Sequence, residues 1–384
     1  MVIQLPGLLS AATVTVGDNN EILVDGVPFF PIFLGQQNSS NMAHAKSLGI
    51  NTFFDQPSGF SLVYLYACQQ NGVWGVVKYD QTAPSLINND YLLGWCFSDE
   101  PDLNNFRVSP SEIADQYNTI KSADPNHLTF LTLTGSFYDE PDNRYYEYCA
   151  NTDVVGFDKY PIYGWCRKDY LYWVGDAQDT LRIKYAKNEH PTYQWIECCK
   201  CVGQWCYYSE RSGHGPYPYE IRCEVWYAIV HGAKMIGYFT HSWRSDDCSA
   251  KGDQYYKQYH VSPEQETELS RTNSQITALT PVICSPNSQV AVSKKIISGN
   301  GRVDIMVKEY DNQLFIFAVN VLHVSSNNNQ TVEFTVPNLS SWDDKVTVYE
   351  EDRTILPSGN TFTDNFTEEE PVHIYVLGQG TGLL

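Results

Sequence analysis

Eight short apolar runs, each set off from the next by a turn or a helix-patterned stretch, occupy roughly the first 280 residues, about the length of a typical barrel. They fall at 28–34, 52–55, 74–79, 92–97, 128–134, 154–158, 192–197 and 235–240. Strands covered on both faces read as continuous apolar runs rather than alternating ones. Their alternation with helical stretches is the pattern of a parallel α/β fold. Three helix starts are explicit. Ser109-Pro110-Ser111-Glu112 supplies a hydroxyl cap, a proline at the first helical position and an acid in the first turn. Ser262-Pro263-Glu264 repeats the device, with Leu269 and Ile276 two turns apart. Between them Ile221, Val225, Ala228 and Ile229 form one stripe, closed by His231-Gly232. The stretch after the third run, 80–90, leaves room for little more than a turn of helix.

Eight such units can close as a (β/α)8 TIM barrel or open as a doubly wound sheet. The open fold usually carries a glycine-rich phosphate loop after its first strand. Here that position holds Gly35-Gln36-Gln37-Asn38, without the spacing. The expected fold is therefore an α/β TIM barrel over 1–282. From about residue 283 the texture changes to short runs at 290–292, 303–307, 314–319, 331–336, 346–349 and 372–376, split by Gly, Asn and Asp turns. That reads as a C-terminal antiparallel β-sandwich over 283–384. Residues 12–24 also look strand-like and fit either domain, 1–20 being candidates to pack on the β-domain.

The chain has a net charge of −20. Such a field repels nucleic acid and anionic membranes, and no Lys/Arg run offsets it. No apolar stretch is long enough to span a bilayer. Six of the eleven cysteines, Cys166, Cys198, Cys199, Cys201, Cys206 and Cys248, cluster in late loops, and Asn-x-Ser/Thr sequons occur at Asn38, Asn329, Asn338 and Asn365. Both features point to a secreted, disulfide-bonded glycoprotein. Cys198 and Cys201 form one Cys-x-x-Cys, but no second pair completes a zinc knuckle, so disulfides are expected there and no metal. The start, 1–12, has no basic segment and a proline in its apolar run, and is read as a mature start with an export signal removed.

Catalytic groups of a barrel sit at the C-terminal ends of its strands. The fourth run ends Ser98-Asp99-Glu100-Pro101, the sixth Asp158-Lys159-Tyr160-Pro161, the seventh Trp195-Ile196-Glu197, and the eighth Thr240-His241-Ser242-Trp243. Paired carboxyls about 5–5.5 Å apart are what retaining glycosidases need, one as nucleophile and one as acid/base. No Gly-x-Ser-x-Gly elbow is present to suggest a serine hydrolase.

With Glu100 after the fourth run and Glu197 at the end of the seventh, the pattern resembles the clan A glycoside hydrolases. The opening Val24-Asp25-Gly26-Val27-Pro28-Phe29-Phe30-Pro31 is similar to the first strand of many members, and Asp99-Glu100-Pro101 resembles their Asn-Glu-Pro. The resemblance implies Glu100 as acid/base and Glu197 as nucleophile of a double displacement, acting on a β-linked carbohydrate without a cofactor. It implies substrate contacts from Asp99, standing where the family has Asn, and from Tyr160 and Trp243. The strand ends add Asp158 and His241 as further candidates for the site. An Asp at position 99 accepts a hydrogen bond but donates none unless protonated. Two other classes fit the same residues: a catalytically silent carbohydrate-binding barrel, and a transglycosylase using the same carboxylates.

Overall fold

The computed structural model describes residues 12–322 and 328–378. The opening segment 1–11, and with it the reading of a mature start, lies outside the described residues.

Eight parallel strands close a barrel: β4 (Ile32–Gly35), β5 (Thr52–Phe54), β6 (Trp74–Lys78), β7 (Leu92–Cys96), β8 (Leu128–Thr134), β9 (Val154–Asp158), β10 (Thr192–Glu197) and β11 (Met235–Phe239). β11 pairs with β4 to complete the ring. The first apolar run divides. Its front, β3 (Val27–Phe29), pairs antiparallel with β2 (Ile22–Val24), which pairs with β1 (Val14–Val16). Only Ile32–Gly35 belongs to the barrel, because Phe30-Pro31 is the joint at which the chain changes sheets. The hairpin packs under the barrel: Val14 N donates to Asn126 O, and Val14 and Ile22 join the cluster that fills the barrel interior. Residues 12–20 thus pack chiefly on the barrel, with Asn19 and Asn20 bordering the seam to the sandwich.

The interior is an aromatic column. Phe33, Phe54, Phe130, Tyr193 and Trp195 all point inward, with Phe33 and Trp195 edge to face at 4.7 Å. Such contacts contribute roughly 0.5–1.5 kcal/mol beyond burial. Glycines opposite make room: a Cβ on Gly156 would meet the Tyr193 ring at 2.2 Å, and one on Gly237 the Phe33 ring at 2.1 Å.

The helix starts read from sequence form as capping boxes. Ser109 Oγ accepts from Glu112 N while Glu112 Oε2 accepts from Ser109 N, opening the Pro110–Ala123 helix. Ser262 and Gln265 do the same for Pro263–Cys284. Each cap is worth about 1 kcal/mol.

The C-terminal unit is a sandwich. β12 (Ser293–Ser298), β15 (Gln330–Thr335) and β18 (Thr361–Phe366) form one sheet in the order β12-β15-β18. β13 (Arg302–Tyr310), β14 (Gln313–Val321), β19 (Val372–Leu377), β16 (Val346–Val348) and β17 (Arg353–Ile355) form the other, in that order. The run expected at 290–292 is not a strand; it turns along the domain seam. The larger sheet packs on the Pro218–Val230 helix, where Trp226 stacks on Phe317 at 5.7 Å. No helix among the described residues is long and apolar enough to cross a membrane.

Candidate active site at the barrel mouth

The C-terminal strand ends converge on a narrow hollow of about 60 Å³. Asp55, Asp99, Asp158, Tyr160, Trp195 and His241 are among the residues that line it.

Three mouth residues that are not glycine adopt left-handed backbone: Gln36 (φ 49°), Asp55 (φ 57°) and Glu100 (φ 45°). Each such conformation costs about 1–3 kcal/mol and clusters where function demands it. The strain is held by specific partners. Gln36 Nε2 donates to Asp55 Oδ2 at 3.0 Å, and Lys78 Nζ pairs with Asp55 Oδ1 at 2.9 Å. Burial raises the Asp55 pKa despite the opposing pull of Lys78. At Glu100 the main-chain N–H bonds to Thr132 O, while Arg107 Nε donates to Glu100 O and Arg107 Nη2 to Asp99 O. Asp102 ties the same turn to β8, accepting from Thr134 N at 2.9 Å and Thr134 Oγ1 at 2.6 Å.

These ties set Glu100 against Asp158. Asp158 Oδ1 is buried and meets no hydrogen-bond donor. Two ionised carboxylates cannot share such a place comfortably, so one keeps its proton. Burial, and then the adjoining Glu100, lift the Asp158 pKa well above the carboxylate range. Asp158 therefore keeps its proton. Asp99 has surface open to water, yet the cleft crowds its carboxyl on the other sides. That loss of solvent, followed by the charges of Glu100 and Asp55, pushes it up to about 7.

One wall is a ladder of rings. Tyr160 stacks on Phe239 at 5.3 Å, Phe239 on His241 at 5.1 Å, and His241 on Trp243 at 6.4 Å. Residues 239, 241 and 243 alternate along one stretch of chain, so their side chains share a face. His241 Nε2 lies 3.1 Å from Gly35 O and 3.2 Å from Gln37 Nε2; a neutral ring with its hydrogen on Nε2 donates to Gly35 O and accepts at Nδ1 from Tyr256 OH at 3.0 Å. Burial lowers the His241 pKa, which favours this neutral form. The buried amide of Gln37 fixes the same corner, with Nε2 donating to Gln258 O at 2.9 Å.

Of the residues singled out in the sequence, Asp99, Asp158, Tyr160 and His241 line the hollow, Glu100 abuts Asp158, and Trp243 extends the ring ladder outward. Glu197 does not line it. Its fully buried carboxylate accepts from Ile162 N at 2.7 Å and from Tyr163 N, and bonds to Glu224. Burial, the largest influence, pushes Glu197 up to about 7 against the pull of those bonds. In this arrangement it pins the loop that carries Tyr160 and Tyr163. Gln36, Asp55, Lys78, Trp195 and Phe239 enter the site without having been singled out. The signal was available, since each stands at or beside the end of an apolar run.

The disulfides expected in the loop after the seventh run are present. Disulfides join Cys166 to Cys206 and Cys201 to Cys248, but Cys198 and Cys199 are free and buried. These two neighbours pack into different clusters, one in the layer that includes the helices and one in the barrel interior, so they face different ways. Arg244, buried beneath the stapled loop, binds the carbonyls of Val202, Gly203, Cys206 and Cys248.

Fold and site together define a (β/α)8 barrel with an acidic, ring-walled mouth and a β-sandwich behind it. No family model matches the chain, and no curated protein matches its sequence. Solved structures do share the architecture. AmyP in complex with maltotriose superposes with a TM-score of 0.57 at 9% identity, over 92% of this chain and 97% of that one. The alpha-amylase from Geobacillus thermoleovorans complexed with acarbose gives 0.56 at 10%, over 92% and 99%. The maltogenic alpha-amylase AmyB from Thermotoga neapolitana gives 0.52 at 10%, over 90% and 99%. At these identities the likeness establishes the shared barrel-plus-sandwich fold.

Proposed function

We propose that the protein is a secreted glycosidase that cleaves a carbohydrate at the barrel mouth. The observation that carries this reading is the carboxyl of Glu100 set against the buried, proton-holding Asp158 beneath a wall of stacked rings. A pair that retains one proton near neutrality can give it to a departing glycosidic oxygen and take it back from water, the acid/base work glycoside cleavage requires. Flat rings suit the apolar faces of sugars. The amylases of like fold bind maltotriose or acarbose, which agrees with a carbohydrate ligand here.

In this reading Glu100 and Asp158 act together as acid/base, and Asp99, which lines the hollow, assists attack by water on the anomeric carbon. A second reading is favoured by the place of Glu197 on β10, two residues beyond Trp195 and paired in register with Phe239, both of which line the hollow. There Glu197 leaves the amides of Ile162 and Tyr163 and attacks as nucleophile, giving retention through a glycosyl-enzyme.

The test is a panel of α- and β-linked oligosaccharides read by mass spectrometry, with product anomers followed by NMR. Wild type should hydrolyse at least one member. Glu100→Gln and Asp158→Asn should each lose about 10²–10⁴-fold. Inversion supports attack by water; retention, with loss of turnover in Glu197→Gln, supports the nucleophile. Binding without cleavage by wild type, or variants at positions 100 and 158 within about tenfold of it, would overturn the assignment.

A further inference from the structure

A much larger cavity, about 500 Å³, lies at the opposite end of the barrel, in the seam between the N-terminal strand ends and the sandwich. Thr192 and Lys234, at the starts of β10 and β11, stand on the barrel side, and Met306 and Lys308 of β13 on the sandwich side. Lys308 is 3% exposed, and its ammonium donates to Ser285 O at 2.5 Å, which satisfies one of its three N–H bonds.

No carboxylate forms an ion pair with Lys308 or Lys234 among the described residues. The groups of opposite sign that reach them both are the Cys284 thiol and then Glu21, neither of them in an ion pair with either lysine. The other cations of the wall are already engaged. Arg182 donates to Asp179, Asn188 Oδ1 and His231 O, and His231 bonds to Asp179 and Asp304. Two enclosed ammonium groups thus repel one another in a chain of net charge −20. Burial, then Lys234, push the Lys308 pKa down to about 7. Unpaired buried charge is costly and is ordinarily relieved by an anion. The neighbouring walls are mixed: Asn19, Asn20 and Asn188 offer polar groups, and Val292 and Ile305 an apolar face. The volume falls within the range of small-molecule sites.

We propose that this cavity binds a small organic anion whose carboxylate or phosphate head sits between Lys234 and Lys308, with its carbon body against the apolar face. The site is separate from the barrel mouth, and the proposal stands whatever the mouth catalyses.

The test is calorimetric titration of the whole protein with inorganic phosphate, with butyrate, and with n-butanol as the uncharged control, alongside thermal melts. We expect saturable binding at millimolar concentration by at least one anion, a rise of roughly 2–4 °C in melting temperature, and no response to n-butanol. Saturation by phosphate alone identifies a phosphate head; saturation by butyrate alone identifies a carboxylate. Lys234→Met and Lys308→Met should each weaken binding at least about tenfold, the loss of one charge-assisted contact. Their ligand-free melting temperatures should stay at or above wild type, because each removes an enclosed charge. Absence of saturable binding of either anion by wild type overturns the proposal without recourse to variants. Unchanged affinity in Lys234→Met, the less enclosed position, does the same should Lys308→Met fail to fold.

Discussion

Asp158, at the end of β9, and Glu100, just past the end of β7, meet carboxyl to carboxyl across the intervening β8, and the enclosed oxygen of Asp158 has no donor to quiet it. A group this crowded is a poor structural tie. Asp102, a few residues away, shows what a structural acid looks like here: both its oxygens accept from Thr134. The contrast is why we propose the first pair for chemistry and read Asp102 as a structural tie.

Asp99 should leave a signature in the pH dependence of stability. Its folded pKa of about 7 stands above the ordinary 3.8. A carboxyl raised on folding contributes stability that is complete below the unfolded value and is lost as pH rises through the folded one. Urea midpoints of wild type should therefore fall between about pH 4 and pH 8, and Asp99→Asn should fall less over that window. Parallel profiles for the two proteins would refute the link.

The outer rung of the ring ladder should act on binding rather than on the chemical step. Trp243 lies beyond His241, away from the carboxyls, and tilts against Tyr256 at 5.1 Å. Trp243→Ala should raise KM by about tenfold with kcat within a factor of about two, the pattern of lost uniform binding. Steady-state kinetics on whichever oligosaccharide wild type cleaves provides the check.

Arg211 and Glu220 make a buried ion pair near the start of the Pro218–Val230 helix, with Arg211 Nη2 at 2.5 Å from both carboxylate oxygens. Glu220 also accepts from Tyr217 N at 2.7 Å, closing the helix cap. Arg211→Met leaves an enclosed carboxylate without a partner and should cost about 3–5 kcal/mol. The double variant Arg211→Met/Glu220→Gln should recover part of that loss. Urea unfolding of the four proteins closes the cycle.

The two disulfides span 40 and 47 residues of chain. Loop closure of that size constrains the unfolded chain by roughly 4 kcal/mol per bond. Cys166→Ser/Cys206→Ser should melt several degrees lower than wild type under oxidising conditions. Wild type with added reductant should fall at least as far, and identical melting with and without reductant would count against the bonds.

Much of the barrel was legible because its strands are buried on both faces, which forces apolar runs that composition cannot disguise. The 28–34 run misled because two strands of different sheets abut at Phe30-Pro31, and hydrophobicity does not mark the joint. In the sandwich, β12 was missed since its residues are mostly exposed, and β18 since its buried positions 362, 364 and 366 include an aspartate. The acids at strand ends were visible, but not their direction. Whether Glu197 faces the mouth or tucks beneath the 160–166 loop depends on where the amides of Ile162 and Tyr163 fall. That is a property of long-range packing.

Trp195 is at once a lining residue of the hollow and the top of the column formed with Phe33 and Phe54. The floor beneath any bound ligand is therefore continuous with the packed aromatic interior of the barrel. New specificities would have to be carved in the rim, from the loops after the strands. A substitution as deep as Phe33 would be felt at the surface as an altered seat for the ligand.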